Sequence, residues 1–397
     1  MKLNKGVVIF VLIIAMLGCK NTQVKNRSFD AKKLLKHSVL KVKEAADYLT
    51  ATDSFPRHIP EGELKWECVG VRDWCSGFWP GVLWYAYEFS GDEEIKEQAQ
   101  QFTAPLKEIA YTPALDHDIG FQMFPSYGNA YRLTGNDQYK EILLSAADTL
   151  ATLYNPIVGS IHSWPMKPQY PHNTIIDNMM NLELLFWAAK NGGGKHLRDI
   201  AENHAEVTMK NIVRPDYSAY HLASFDDKTG AFIEGKAHQG YADNSMWARG
   251  QTWGIYGFAI AYRETGRKDF LETSMKMADK FIERLPEDGI PFWDFDDPAI
   301  PNTPKDASAA AVAACGMFEL YELLNDQASK QKYYDEAVEL LKRLSTDDYL
   351  SADANVAILE HSVGHMPKKW EIDVPIIYAD YYYLEALLRL KKLQDKV

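Results

Sequence analysis

Two aspartates stand at loop-to-helix junctions where their side chains could transfer protons. Asp118 lies in "DHDIGFQ", residues 116 to 122, and Asp177 lies in "TIIDNMMN", residues 174 to 181. At helical spacing, Asp177 shares one stripe with an apolar core face, so its carboxyl group points inward. Two carboxyl groups in an aromatic pocket can divide acid and base work, which is the usual equipment of glycosidic bond cleavage.

Each aspartate also has a structural interpretation. Asp is among the best N-cap residues, and a helix N-terminus stabilises the carboxylate anion, which opposes acid behaviour in Asp177. Asp118 could form a turn before Gly120. A proton donor near neutral pH needs a raised pKa, and we expect the Met and aromatic neighbours of Asp177 to raise it by desolvation. Composition alone does not decide between cap and acid.

Two further junctions carry aromatic, basic and amide side chains: "DWCSGFWPG", residues 73 to 81, and "DNSMWARGQTWGIYGF", residues 243 to 258. Taken singly, the histidines at 117 and 221 fit hydrogen-bonded structural roles. Arg249 fits an ion pair, and Trp247 and Trp253 fit core positions. If the chain closes on itself, all four junctions meet at one cavity.

The elements that would position these junctions are helical hairpins. Five times an amphipathic helix ends at a short turn with Gly or Asn and a second helix follows, as in "NAYRLTGNDQYKEILLSAADTL". Adding helices from about residue 30 to 50 and 378 to 392 gives twelve helices in six hairpins. The unequal repeat predicts an all-α closed or stacked array forming one continuous domain, residues 30–397.

The long irregular segments all precede the first helix of a pair, so we expect them at one end of the array. They span residues 52–78, 111–121, 154–174, 214–246, 286–305 and 346–374. In "AYHLASFDDKTGAFIEGKAHQ", alternation and a turn at residues 227–230 predict a β-hairpin.

Composition limits the partners. A net charge of −12 leaves no broad basic face, so nucleic acid is not expected as a partner. The 10 Trp and 22 Tyr residues suit sugar binding, although aromatics are first of all core material. No spacing resembles a zinc site, and no metal or cofactor is predicted. Cys68 and Cys75 could pair, a question that spacing alone leaves open.

The N-terminus predicts export. Residues 1–18 carry Lys2 and Lys5 and then an apolar run too short to span a bilayer. Because "MLGC" ends this run, the segment resembles a bacterial lipoprotein signal, with Cys19 as the lipidated residue and residues 19–29 as a tether. A plain cleaved signal with an incidental Cys19 is the alternative.

The motifs "GFWPG", "HDIGF", "IIDNMMNLELLFWAA", "WARGQTWGIYGF" and "YADYYYLEALLRL", in this order, resemble glycoside hydrolase family 88, the unsaturated glucuronyl hydrolases. The resemblance runs from about residue 66 to 392. It implies an (α/α)₆ toroid, which agrees with the six hairpins. It also implies hydration of the 4,5 double bond in the unsaturated uronic acid that polysaccharide lyases leave at a chain end.

The resemblance assigns roles to individual residues. Asp177 would be acid and then base, and Asp118 would orient or polarise the double bond. The candidate substrate-binding residues are His117, His221, Gln239, Arg249, Trp74, Trp247 and Trp253. In "HSVGHMPKKWEID", the basic residues His361, His365, Lys368 and Lys369 could receive a sulfate, or form a solvated loop.

Three functions are compatible with these observations. The favoured one is removal of unsaturated uronic acid from fragments of a glycosaminoglycan or of ulvan, downstream of polysaccharide lyases. The second is the related chemistry on unsaturated galacturonyl-rhamnose from pectin. The third is a glycan-binding lipoprotein without catalysis. The lipoprotein signal leads us to expect the periplasmic face of the outer membrane.

Overall fold

The computed structural model describes residues 29–352 and 354–396. The predicted signal peptide, the lipidation site Cys19 and the tether up to residue 28 lie outside these described ranges. Of the helices in the described part of the chain, none is both long and apolar enough to cross a membrane.

Helices make up most of the described chain. Within the described ranges they are α1 Ala31–Tyr48, α2 Phe78–Ser90, α3 Glu93–Thr103, α4 Lys107–Ala110, α5 Ile119–Met123, α6 Asn129–Thr134, α7 Asp137–Ala151, α8 Asn178–Lys190, α9 Lys195–Asn211, α10 Ala248–Thr265, α11 Lys268–Arg284, α12 Ala307–Leu323, α13 Gln327–Leu344 and α14 Ile377–Gln394.

Six helical pairs form a closed ring. The inner helices are α2, the broken helix α5 to α6, α8, α10, α12 and α14, and each contacts the next around the ring until α14 contacts α2. The outer helices are α3, α7, α9, α11, α13 and α1, with α1 packing on α14 and α2. The predicted (α/α)₆ toroid of six hairpins is therefore confirmed.

Local sequence sets the turns of these hairpins. Gly91, Gly135 and Gly266 follow inner helices with φ between 66° and 75°, a left-handed conformation in which glycine lacks the strain of a Cβ atom. The next helix then starts at a side-chain cap in two of the three cases. The caps are Asp92 and Asn136, whose side chains accept from the backbone two residues on.

The second inner helix is interrupted. A π-helical segment, Phe124–Gly128, separates α5 from α6 and contains Pro125. Proline has no amide hydrogen and its ring crowds the preceding turn, so the regular hydrogen-bond register cannot continue through it. The short α5 that remains begins immediately after Asp118.

Small antiparallel sheets lie in the long connections. The strands are β1 Ser54–His58, β2 Glu67–Gly70, β3 Tyr154–Asn155, β4 Ser160–Ile161, β5 His172–Ile175, β6 Leu222–Phe225, β7 Phe232–Lys236, β8 Ser362–His365 and β9 Trp370–Val374. The predicted hairpin is β6 and β7, and Asp226 caps its turn by accepting from the backbone of Lys228 and Thr229. Strand β5 adds to this hairpin as a third strand.

The long connections gather at one end of the ring, as predicted. Arg57 in β1 forms ion pairs with Asp73 before α2 and Glu371 in β9, and β1 also bridges to the start of α14. The cysteines do not pair there, because Cys68, Cys75 and Cys315 are free thiols. The connections thus form one continuous surface over the N-terminal ends of the inner helices.

Candidate active site

Pairing of two strands brings Asp177 to His221. Strand β5 ends two residues before Asp177, β6 starts directly after His221, and Ile175 is opposite Leu222 in the register. The Ile176 amide donates to the His221 carbonyl over 3.0 Å. As a result, His221 Nε2 lies 3.4 Å from Asp177 Oδ2. Asp177 occupies the N-cap position of α8, but its side chain makes no capping hydrogen bond.

A backbone amide fixes the ring of His221. The Gln239 N–H donates to His221 Nδ1 over 2.9 Å. Since Nδ1 accepts, the ring proton resides on Nε2, the atom that faces Asp177. Among the described residues, neither His221 Nε2 nor Asp177 Oδ2 has a hydrogen-bond partner, although both are buried. Buried polar atoms without a hydrogen-bond partner are rare in native proteins, and they are expected where a ligand supplies the partner.

A second aspartate and histidine form a similar pair. His117 Nε2 lies 3.5 Å from Asp118 Oδ1, and the His117 amide donates to the Ser163 carbonyl over 3.1 Å. His117 Nε2 is likewise buried without a hydrogen-bond partner among the described residues. The carboxyl groups of Asp118 and Asp177 keep 13% and 12% of their surface exposed, so both are open to a ligand.

The two carboxyl groups have opposite pKa shifts. Burial raises the pKa of Asp118 well above its usual range, and the negative charges of Asp116 and Asp177 add to the rise. Burial also acts to raise the pKa of Asp177, but contact with His221 and the charge of Arg249 outweigh it, so the net shift is downward. The expectation that Asp177 is held protonated in the free protein is therefore wrong.

Arg249 is almost entirely engaged by the protein. It is 2% exposed and forms a buried ion pair of 2.8 Å with Asp306. Its other contacts are donations to the carbonyls of Val363 and Gly364 and to Gln239 Oε1 at 2.9 Å. Gln239 contacts Arg249 through its side-chain oxygen and His221 through its backbone amide. A ligand carboxylate could replace it without unpairing Asp306.

The predicted aromatic residues differ in their exposure. The Trp247 ring contacts His221, with ring centroids 4.6 Å apart. The guanidinium carbon of Arg249 lies 4.7 Å from the centroid of the same Trp247 ring. Trp74 is half-buried and packs at 5.0 Å from Tyr378. Trp253 is 0% exposed, so in this structure it supports the wall and presents no face to a ligand.

A group of residues beside His221 is not predicted from the sequence. Trp164 packs edge-on to both His117 and His221, Lys167 Nζ lies 3.3 Å from the Trp164 ring centroid, and His238 is 3.2 Å from that lysine nitrogen. The stretches "HSWPMK" and "KAHQ" held the signal, since each places a ring and a base within a long connection.

The helix ends supply a favourable potential for an anion. Inner helices α2, α5, α8, α10, α12 and α14 all begin at this end of the ring. Unpaired amides at helix N-termini carry partial positive charge, which stabilises nearby negative groups. An anionic ligand is therefore favoured here despite the negative net charge of the chain.

A toroid of six helical pairs that brings two carboxyl groups, aromatic walls and helix N-termini to one mouth fits a carbohydrate-active enzyme of the (α/α)₆ class. Comparison with known proteins agrees with this class. The chain belongs to Glycosyl Hydrolase Family 88, whose model matches residues 45–385.

Relatives support the assignment over nearly the whole length. An unsaturated glucuronyl hydrolase of Formosa agariphila is 38% identical over 400 residues, covering 99% of both chains. A solved unsaturated glucuronyl hydrolase specific for heparin is 41% identical, with a TM-score of 0.88 over 92% of this chain and 98% of that one. A Streptococcus agalactiae unsaturated glucuronyl hydrolase mutant, solved with dGlcA-GalNAc6S, is 32% identical, with a TM-score of 0.77 over 90% and 92%.

Proposed function

We propose that this hydrolase removes a 4,5-unsaturated uronic acid from the non-reducing end of oligosaccharides released by polysaccharide lyases. The observation that carries the proposal is the convergence of Asp177 with His117 and His221, whose buried polar atoms lack partners among the described residues. Membership in the family and the relatives' activities support the same chemistry.

The reaction is a hydration followed by ring opening. The protonated carboxyl group of Asp177 gives its proton to C4 of the double bond, and the resulting carboxylate takes a proton from the water whose oxygen bonds to C5. The product is a hemiketal at C5. The bond between C5 and the ring oxygen breaks to give a ketone at C5, and the former ring oxygen stays on C1 as a hydroxyl. The hemiacetal so formed at C1 then breaks its bond to the remaining saccharide, which leaves as an alcohol while C1 becomes an aldehyde. Asp177 ends protonated, ready for the next turnover.

Substrate binding promotes protonation of Asp177, which the free protein disfavours. Contact with His221 and the charge of Arg249 lower the pKa of Asp177 in the free protein. A uronate carboxylate bound beside Arg249 adds a negative charge that opposes the charge of Arg249, so the pKa of Asp177 rises on binding. Asp118, whose pKa is already high, donates a hydrogen bond to the sugar and so holds the sugar beside Asp177. His221, Gln239 and Trp247 orient the same ring, while Trp74 lines its entrance.

An alkene assay tests this function. Unsaturated disaccharides absorb ultraviolet light, and we expect the protein to abolish this absorbance. Asp177→Asn should lower kcat by roughly 10²- to 10⁴-fold, the usual contribution of a general acid or base. Asp199→Asn, on the exposed outer helix α9, is the matched control and should retain full rate. Full activity in Asp177→Asn sinks the assigned role, and binding without turnover indicates a glycan-binding protein.

We further propose that the sugar next to the unsaturated uronate carries an anionic group, a sulfate or carboxylate, as in glycosaminoglycan and ulvan fragments. A cluster of four bases lies beside Asp118 and Asp177. Its members are Lys167, His238, His365 and Lys368. His238 and His365 have ring centroids 5.1 Å apart, and both ring nitrogens of His365 lack hydrogen-bond partners in the described ranges.

Electrostatics support an anion at this cluster. Burial, together with the charge of Lys368, lowers the pKa of Lys167 to about 8. Burial and the neighbouring bases lower the pKa of His365 to about 4. The strongest charged neighbours of His238 are also bases. A bound anion relieves this mutual repulsion. His361, in contrast, bonds Asp373 at 2.7 Å and does not join the cluster.

A pair of disaccharides tests the anionic neighbour. Lys167→Met removes one charge while keeping most of the side-chain volume. We expect kcat/KM to fall roughly tenfold on a 6-sulfated unsaturated disaccharide, the value of one charge-assisted hydrogen bond, and to change little on the unsulfated one. Lys195→Met on exposed α9 is the control. An equal fall on both substrates contradicts the proposal.

We also propose that the protein is exported and lipid-anchored through Cys19 at the periplasmic face of the outer membrane, where polysaccharide lyases supply its substrate. The lipoprotein-like "MLGC" stretch supports this location. Membrane fractionation of the full chain beside its Cys19→Ser variant is the test. Equal amounts of both in the soluble fraction contradict it.

A further inference from the structure

Asn181 links the two acidic segments of the site. It lies four residues after Asp177 on α8, so both side chains occupy one face of the helix, and it is fully buried. The Phe121 amide donates to Asn181 Oδ1 over 2.7 Å. Phe121 follows Asp118 in the chain, so this bond joins α8 to the segment that carries the second acid.

The same bond orients the Asn181 amide group. Because Oδ1 accepts from Phe121, the NH₂ group of Asn181 is the atom that faces His117 Nδ1, at 3.4 Å. The His117 nitrogen therefore accepts. Burial lowers the pKa of His117 to about 3, so the ring is neutral and carries one proton. That proton is on Nε2, 3.5 Å from Asp118 Oδ1.

Gly120 makes this contact possible. A Cβ atom at position 120 would lie 2.5 Å from both Cα and Oδ1 of Asn181, closer than atoms can approach. The backbone that follows Asp118 thus rests directly on Asn181. At His221 the Gln239 backbone amide performs the equivalent task, donating to Nδ1 and leaving Nε2–H toward Asp177.

Resting on the proposed function, we propose that Asn181 is a positioning residue that acts through His117. Its NH₂ group holds His117 as the Nε2–H tautomer, so that an N–H donor faces Asp118. In the opposite tautomer an Nε2 lone pair would face Asp118 and accept the proton of its carboxyl group. Asp118 would then donate to His117 and no longer to the sugar.

Asn181→Asp tests the proposal, because the variant keeps the shape and an oxygen for the Phe121 amide. Its second oxygen accepts where the amide donated, so His117 should switch to the Nδ1–H tautomer. We expect kcat to fall on the order of 10²-fold, as for a lost acid or base contribution, and KM to change less. The pH profile of kcat should also lose or shift the limb that reports Asp118.

Asn129→Asp is the matched control. Asn129 is also buried on an inner helix, α6, and its NH₂ group donates to the Pro125 carbonyl over 2.9 Å. It measures the general cost of placing a new carboxyl group in the ring wall. We expect it to lower stability while leaving the pH profile of kcat unchanged. Equal pH profiles in the two variants would overturn the role of Asn181.

Nitrogen-15 NMR of histidine-labelled protein measures the tautomer directly in the unchanged chain, with His117→Gln identifying the signal. The expected result is a neutral His117 ring protonated at Nε2. Protonation at Nδ1 in the unchanged protein overturns the proposal, whether or not Asn181→Asp folds. This measurement needs no turnover, so its failure is distinct from that of the hydrolase function, which the Asp177→Asn assay decides.

Discussion

Asp118 and Asp177 are the same kind of side chain, and their neighbours give them opposite proton affinities. Asp177 faces His221 and the charge of Arg249, whereas Asp118 lies near two other carboxyl groups. The N-cap interpretation of Asp177 does not hold for its side chain, which bonds none of the α8 amides. The raised pKa of Asp118 and the lowered pKa of Asp177 favour protonation of Asp118 in the free protein, and a bound substrate must raise the pKa of Asp177 before that residue can act as the acid.

The opposite shifts predict opposite effects of pH on stability. The raised pKa of Asp118 gives stability that is full below the unfolded value of about 4 and is lost as pH rises toward the folded value. Asp118→Asn lacks this loss, so its Tm should exceed that of the unchanged protein by a few degrees at pH 8 and by less at pH 4. Calorimetry at both pH values measures the difference.

Asp177→Asn serves as the counterpart in this experiment. Its lowered pKa contributes stability above the unfolded value, which disappears as pH falls through the folded value. The amide variant should therefore be less stable than the unchanged protein at pH 8, with a smaller difference at low pH. The same sign of shift in both variants at pH 8 would contradict the opposite proton affinities.

At the scale of elements, one buried carboxylate joins three parts of the chain. Asp306 caps α12, pairs with Arg249 on α10 and accepts from the Val363 amide of β8. Arg249 in turn donates to the carbonyls of β8. This arrangement holds β8, with His365 at its end, at the catalytic mouth.

Asp306→Ala should therefore be costly, because it leaves the Arg249 charge buried without its partner. We expect the free energy of unfolding to fall by about 3–5 kcal/mol, as for other broken buried pairs. Asp288→Ala removes an exposed partner of Lys305 and should cost at most about 1 kcal/mol. Urea denaturation measures both. Similar losses in the two variants would show that the buried pair has no special weight.

Elements formed by residues close together in the chain were predicted correctly from the sequence. Helix periodicity and turn glycines predicted the six hairpins, and the helix expected from residue 30 to 50 is observed as α1, with Asp30 as its cap. The β6 to β7 hairpin followed from its turn residues. Strand β5 escaped prediction because its partner β6 lies about fifty residues away, and "HNTI" has neither clear alternation nor a turn of its own.

The same limit applies to the site. Asp118, Asp177 and His221 were predicted from motifs, but the sequence could not show that Arg249 is saturated by protein acceptors or that Trp253 is fully covered. Lys167 and His238 meet through folding of two separate connections, which no spacing along the chain reveals. Contact with His221 and the charge of Arg249, both distant from Asp177 in the chain, set the downward shift of its pKa, so composition near that residue predicted the direction wrongly.

For the whole molecule, the ring separates two electrostatic environments. Inner helices begin at the catalytic mouth and end at the opposite mouth, where basic residues such as Arg132, Arg263 and Lys392 occupy the last turns. These bases pair with glutamates there, including Glu88 with both Arg132 and Lys392. The basic residues at the distant mouth are thus neutralised by glutamates. The helix N-termini at the catalytic mouth still attract an anion.

The position of the chain's first described residues bears on how the ring would sit at a membrane. Phe29 accepts a hydrogen bond of 2.8 Å from Gln394 at the end of α14, so the chain enters the ring at the mouth opposite Asp177. If Cys19 carries a lipid, the membrane anchor is attached through the mouth of the ring that lies opposite Asp177. The sugar-receiving opening then lies at the end of the ring away from this point of attachment.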